Sequence, residues 1–283
     1  MISPEKSSQY RVFSFFMVIS NNNMAIQLKT IEEVEVLKEA GKRHSAVLRA
    51  VSEAVTPGVK TSELDAIAVE KIKEFGDKAA FLDYTPEGIS YPYPASLCVS
   101  VNDEVVHGIP GDRTLNDGDI VSLDLGLTHK NMIVDAAVTV AVGQASGAVK
   151  ELISVTKGSL EAGIAACVAG NTVGDVGHAI ESYINKRGSQ YGIIRILSGH
   201  GVGHEVHEDP YVPNYGKVGK GAKLVPGMVI AIEPMVTLGS EEVFQADDEY
   251  TYITSDESLS AHFEHTVAIT EDGPIVLTQR DWN

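Results

Sequence analysis

Residues 115–135, Leu-Asn-Asp-Gly-Asp-Ile-Val-Ser-Leu-Asp-Leu-Gly-Leu-Thr-His-Lys-Asn-Met-Ile-Val-Asp, set two carboxylates, Asp124 and Asp135, into otherwise apolar extended segments. A period of two along residues 121–127 puts the branched side chains on one face and Ser122, Asp124 and Gly126 on the other. An ionised carboxylate among apolar neighbours is costly unless it is hydrated, paired or bound to a metal, so Asp124 reads as solvent-facing or as a ligand. The pattern recurs. Residues 224–236 repeat residues 115–127 at a constant offset of 109, with Gly227 on Gly118 and Glu233 on Asp124. Two turn-plus-strand copies, each delivering one acid, predict two structural halves facing a shared site.

The flanks agree. From Ile31, apolar residues fall at steps of three and four as far as Val55, and Pro57-Gly58 ends a long amphipathic helix. Ser62-Glu-Leu-Asp65 resembles a capping box for a second helix stopping near Gly76. Residues 79–106 read as loop and strand, with Tyr91-Pro-Tyr93-Pro94 ahead of an extended run at 97–101. The second half repeats this order, with helices over 147–168 and 176–186, a turn and cap at Gly170-Asn-Thr172, and a short strand over 193–197. Helix, helix, strands, twice over, predicts an internally duplicated α+β architecture.

At 283 residues, 43% hydrophobic and 22% charged, the chain has ample material for a core. A formal charge of −17 repels phosphate at long range and argues against general nucleic-acid or anionic-membrane binding, and no specific nucleic-acid partner is expected. Two cysteines, Cys98 and Cys167, supply neither a disulfide framework nor a thiolate metal site, which fits a reducing compartment such as the cytoplasm. Residues 1–26 read as an N-terminal extension, disordered or foreign to the native protein. Their apolar run over 12–19 is short, and no Ala-x-Ala cleavage site follows. A single catalytic domain is expected over 27–283, in halves of about 27–146 and 147–283.

Three further stretches carry candidate chemistry. His107 stands at a strand end before a Gly/Pro turn, where a lone histidine is more often structural than functional. Gly199-His200-Gly-Val-Gly203-His204-Glu-Val-His207-Glu-Asp-Pro210 packs three histidines into eight residues; it lacks both the His-Glu-x-x-His of zinc proteases and the Gly-x-Gly-x-x-Gly of phosphate loops. Glu205, Glu208 and Asp209 read as solvated or supporting. Over 261–270 a strand would put His262, Glu264 and Thr266 on one face and Phe263, His265 and Val267 on the other, leaving His265 as a satisfied core group. Together Asp124, Asp135, His200, Glu233 and Glu264 offer four carboxylates and one imidazole. That donor set suits a pair of divalent ions, Mn, Fe, Co or Zn, able to generate hydroxide near neutral pH.

These motifs resemble those of the type I methionine aminopeptidases, within the "pita-bread" metallopeptidase superfamily. The likeness spans about residues 27–283, and the five acid and histidine positions recur at the family's intervals: 11 residues from Asp124 to Asp135, 33 from His200 to Glu233, and 31 from Glu233 to Glu264. The resemblance implies a pseudo-two-fold fold with an antiparallel sheet covered by helices. It implies that Asp135 and Glu264 bridge two metals, that Asp124 completes one site and that His200 and Glu233 complete the other, with room for a further monovalent cation. It implies hydrolysis after an N-terminal methionine, with Glu233 relaying the proton, His107 contacting the scissile amide nitrogen and His207 the carbonyl oxygen.

Tyr93, Cys98, Val206 and Tyr250 match positions lining the methionine pocket. Val206 stands where the family commonly has phenylalanine, Tyr250 where several members have tryptophan, and His204 also departs from the usual residue. Residues 84–92 look longer than usual, so Tyr84 is an uncertain member of the pocket. The implied partners are N-terminal methionine peptides of nascent chains, with the protein a monomer. Some relatives dock on the ribosome through a basic loop, but the matching stretch here, 239–249, is acidic. Lys217, Lys220 and Lys223 are the better candidates for ribosome contact, against an ordinary reading as solvated lysines. The rival readings are an Xaa-Pro aminopeptidase or a silent binding protein of the same fold.

Overall fold

The computed structural model describes residues 26–86 and 88–282; the extension expected over 1–26 lies outside them except for Ile26. The described chain runs α1 (Ile31–Glu53), α2 (Thr61–Phe75), β1 (Lys78–Ala79), β2 (Cys98–Val101), β3 (Glu104–Val106), β4 (Ile120–His129), β5 (Met132–Ala141), α3 (Gly147–Ala165) and α4 (Val173–Asn185). There follow β6 (Gly192–Ile193), β7 (Gly199–Gly201), β8 (Glu208–Val212), β9 (Val229–Ile232), β10 (Met235–Thr237), β11 (Val243–Gln245), β12 (Tyr252–Thr254), β13 (Ser260–His262), β14 (His265–Thr270) and β15 (Gly273–Val276). Among the described residues all strand pairings are antiparallel.

α1 starts on a full capping box. Thr30 Oγ1 accepts from the Glu33 amide, and the Glu33 carboxylate accepts from the Thr30 amide. Its Leu37, Val47, Leu48 and Val51 are fully buried against β4 and β5. α2 begins earlier than Ser62-Glu-Leu-Asp65 suggests: Glu63 accepts from the Lys60 amide, while Asp65 accepts from the amides of Ser96 and Leu97 and so pins the loop before β2. α3 and α4 repeat the pair, with Ser146 Oγ capping α3 and Asp175 closing the start of α4 on the Thr172 amide. Of the expected 193–197 strand only Ile193 is extended in a ladder, in the two-residue β6.

The duplication is visible bond for bond. Gly118 and Gly227 both have φ +92°, a region that favours glycine. Asp119 N–H donates to Asn116 O and, 109 residues on, Met228 N–H donates to Val225 O. Gly118 then bonds to Val142 beyond β5, and Gly227 to Ile269 in β14. Each turn launches a central strand, β4 or β9. β4 lies between β2 and β5 in one sheet, and β9 lies between β14 and β7 in another.

The last strand departs from the sequence reading, because β13 and β14 are separate. Their break at Phe263-Glu264 faces a matching break at Glu233-Pro234 between β9 and β10, since Met235 pairs with His262 and Ile232 with His265. Proline has no N–H to continue a ladder. Phe263 N–H still donates to Pro234 O, its partner in that register, but Glu264 N–H turns away to Ala137 O on β5. Two acids thereby sit at one crossing point of the sheets.

Candidate metal centre and active site

Cross-strand register places the first acids. Asp124 is opposite Ala137 and Asp135 is opposite Gly126, so the two carboxylates are diagonal neighbours on one face of the β4–β5 ribbon. Their face continues into Ser122 and Thr139, whose hydroxyls hydrogen-bond at 2.8 Å. Glu264 arrives from the β13–β14 break, Glu233 from the β9–β10 break, and His200 from β7. Asp135, His200 and Glu264 offer ligand atoms that all lie within 4.8 Å of one another, and His200 Nε2 is 3.5 Å from Glu233 Oε1. The five positions singled out in the sequence are therefore brought to one cluster.

A surrounding frame fixes the backbones that carry these side chains. Thr266 Oγ1 accepts from the Asp135 amide at 2.9 Å and donates to the Asp135 carbonyl at 2.7 Å. Asn214 Nδ2 donates to Glu233 O, and Arg280 donates to Ala137 O at 3.1 Å and Glu264 O at 3.5 Å. His265, on the opposite side, bonds Thr278 Oγ1 as a satisfied group.

The electrostatics are those of acids confined together. Burial first, then the charges of Asp124 and Glu233, push Asp135 well above the usual carboxylate range; burial followed by Asp135, Glu233 and Asp124 does the same to Glu264. Burial raises Asp124 to about 6 and Glu233 to about 7. Asp124 Oδ1, Asp135 Oδ1 and Glu264 Oε1 are buried without a hydrogen-bond partner. Orphaned carboxylate oxygens are expensive in a protein interior and call for a cation. Hard oxygen donors with one imidazole fit a divalent ion, and the residues present therefore fit the metal that the donor pattern implies.

Two histidines flank the acids. His107 takes φ +61°, and the next residue must be Gly108, because a Cβ there would meet the Val99 carbonyl oxygen at 2.4 Å. Desolvation, then the neighbouring charges of His262 and His200, lower His107 to about 4. Desolvation in the cleft, followed by His200 and His107, holds His207 well below the histidine range although its ring keeps an edge open to solvent. The rings of His200 and His207 lie 4.4 Å apart, and Tyr84 Oη is 2.7 Å from His207 Nδ1. The turn carrying His207 is clamped from below. Glu208 Oε1 accepts from the amides of His204 and Glu205, and Glu208 Oε2 pairs with Lys29, both side chains being nearly inaccessible. His204 itself points away, to Glu33 at 2.8 Å.

Tyr93, Cys98, Val206 and Tyr250 share one small apolar cluster with Phe81, and Tyr84 packs against it. Cys98 is directly opposite Asp124 across β2 and β4, so this cluster adjoins the acids. His262 was not singled out as a site residue, yet its Nε2 lies 3.5 Å from Glu233 Oε2 and neither ring nitrogen has a hydrogen-bond partner. The alternation of His262 with Glu264 was its one available signal.

Residues 35–271 match the model of metallopeptidase family M24. The chain belongs to metallopeptidase family M24. Divalent-metal binding by this M24 chain follows from that membership and from the acid–histidine cluster. It is 44% identical over 253 residues to a methionine aminopeptidase of Clostridium perfringens, covering 89% of this chain and 98% of that protein. It is 45% identical to methionine aminopeptidase 1 of Mycobacterium tuberculosis, covering 87% and 92%. The methionine aminopeptidase structure of Thermotoga maritima superposes with a TM-score of 0.86 at 41% identity, covering 90% of this chain and all of that one. A prolidase of Pyrococcus horikoshii shares the fold with a TM-score of 0.70 at 23% identity, and the match covers only 64% of it. The pita-bread architecture is common to both sets.

Proposed function

We propose that the chain is a type I methionine aminopeptidase, a metal-dependent hydrolase that removes the N-terminal methionine of peptides and nascent proteins. The observation that carries this reading is an apolar side-chain cluster beside a group of acids with unpartnered oxygens, in a chain that matches methionine aminopeptidases along almost their whole length. Asp124, Asp135, His200, Glu233 and Glu264 would hold two divalent ions, of Co, Mn, Fe or Zn. When bound, such ions bring a water's pKa toward neutrality and polarise the scissile carbonyl.

The remaining work falls to the chain. Phe81, Tyr93, Cys98, Val206 and Tyr250 enclose the unbranched methionine side chain and exclude water from it. Glu233, with 12% of its side chain exposed, accepts the proton of the attacking water and passes it to the leaving amine. His107 and His207 are neutral near pH 7, because their surroundings disfavour the imidazolium, so each has one N–H to offer. His107 addresses the scissile amide, and His207 donates to the carbonyl oxygen as charge builds there. A cavity of about 110 Å³ next to His107, walled by Pro86, Ile89, Tyr250 and Tyr252, has room for a small side chain after the methionine.

The protein acts as a monomer in the cytoplasm on chains leaving the ribosome, where exposed Lys217, Lys220 and Lys223 are the contact we favour over the acidic 239–249 stretch. No helix among the described residues is long and apolar enough to cross a membrane. Turnover of Met-Ala-Ser against Xaa-Pro peptides, with added Mn, Co or Fe, tests the assignment. Methionine release alone is expected; preferential Xaa-Pro cleavage, or no cleavage with metal bound, would overturn it.

A further inference from the structure

Tyr84 has a role that the pocket alone does not explain. Its backbone is fixed on two sides: the Tyr84 amide donates to Phe81 O, and the Tyr84 carbonyl accepts from the Tyr93 amide at 2.8 Å. This anchoring aims the phenol at His207. The Oη–Nδ1 distance is 2.7 Å, the ring planes are tilted by 43°, and His207 Nδ1 is the one polar partner that Tyr84 Oη has among the described residues.

A phenol is the better donor of this pair and a poor acceptor, because its oxygen lone pair is conjugated with the ring. Burial, then the charges of Glu205 and Tyr250, raise the Tyr84 pKa further, which keeps the O–H in place. The hydrogen bond therefore runs from Tyr84 Oη to a lone pair on His207 Nδ1. An imidazole that accepts a hydrogen bond at Nδ1 carries its ring proton on Nε2, the nitrogen not facing the phenol.

We propose that Tyr84 is a positioning residue that locks His207 in the Nε2–H tautomer and so makes it a hydrogen-bond donor toward the reacting carbonyl. The proposal rests on the function assigned above to His207. The clamp made by Lys29 and Glu208 holds the turn at His204 and Glu205 that leads into this histidine, whereas Tyr84 sets which nitrogen carries the proton. A pocket wall would need only Tyr84's ring; a tautomer lock needs its hydroxyl.

Tyr84→Phe separates the two roles. In two-bond 1H–15N spectra of the metal-free protein, with His207 assigned by its loss in His207→Gln, wild type is expected to show a single Nε2–H tautomer with a hydrogen-bonded Nδ1. Tyr84→Phe is expected to lose the Nδ1 hydrogen-bond shift and admit the second tautomer. On Met-Ala-Ser its kcat should fall roughly three- to tenfold, the scale of one hydrogen bond, with KM unchanged. A wild-type Nδ1–H tautomer would overturn the proposal whatever the activity. So would a Tyr84→Phe protein whose His207 spectrum and kcat are unaltered, or whose KM alone rises. If instead His207→Gln keeps full turnover while the tautomer result holds, the assigned function of His207 fails and the lock stands.

Discussion

Replacing Lys29 by methionine removes the cation from a pair in which the Lys29 side chain is 0% exposed and that of Glu208 is 3% exposed. Methionine keeps most of the volume, so the effect is electrostatic. Glu208 would retain two amide donors, from His204 at 2.6 Å and Glu205 at 3.1 Å, but both are on Oε1, and the buried Oε2 would lose its Lys29 partner. Breaking one side of a buried pair costs about 3–5 kcal/mol, and the surviving amide bonds put this case toward the lower end. For a chain of this size about 3 kcal/mol lowers Tm by roughly 6–12 °C. Lys29→Met/Glu208→Leu removes both charges and should recover at least about 1 kcal/mol relative to the sum of the single variants. The assay is urea unfolding of wild type, both single variants and the double variant. Additivity within about 0.5 kcal/mol would show that the pair is uncoupled and that the clamp beneath His207 is not electrostatic.

His107→Ala and His207→Ala should each reduce kcat by roughly 10²-fold or more, as for loss of a transition-state donor, while metal analysis shows retained metal. Burial lowers His44 to about 4 from an ordinary 6.5, so between those values the unfolded chain binds a proton that the folded one refuses. Stability should thus fall as pH drops from 6.5, by about 3 kcal/mol from this group alone, and His44→Gln, which keeps a donor for Leu125 O, should flatten that part of the urea-midpoint profile. Thr266→Ala removes both bonds to the Asp135 backbone and should cost about 2–3 kcal/mol in unfolding experiments, with weaker metal affinity by calorimetric titration.

What could be read in the chain beforehand was local or periodic. The 109-residue offset became two turns with the same φ at Gly118 and Gly227, and alternation put Asp124 and Asp135 on one face. The duplicated α+β class followed from those patterns, whereas the pita-bread fold and the five-residue set followed from the resemblance to a known family whose intervals between these positions the chain repeats. Contacts between distant residues left no such trace. Lys29 meets Glu208 across 179 positions and Tyr84 meets His207 across 123, and neither spacing has a period to detect. Asp65 looked like a cap because the cap motif is short; the true start of α2 is set by Glu63, and Asp65 was free to hold the chain before β2. The strand over 261–270 broke opposite Pro234, where Glu264 bonds across to β5, a pairing no local pattern announces.

The most direct test of the metal cage is the metal content and turnover of Asp135→Ala after equilibration with Mn or Co, beside wild type treated alike. Wild type should bind two ions per chain and release methionine from Met-Ala-Ser, while Asp135→Ala should lose bound metal and activity together. An Asp135→Ala protein that keeps its full metal complement and its turnover would contradict the cage formed by Asp124, Asp135, His200, Glu233 and Glu264.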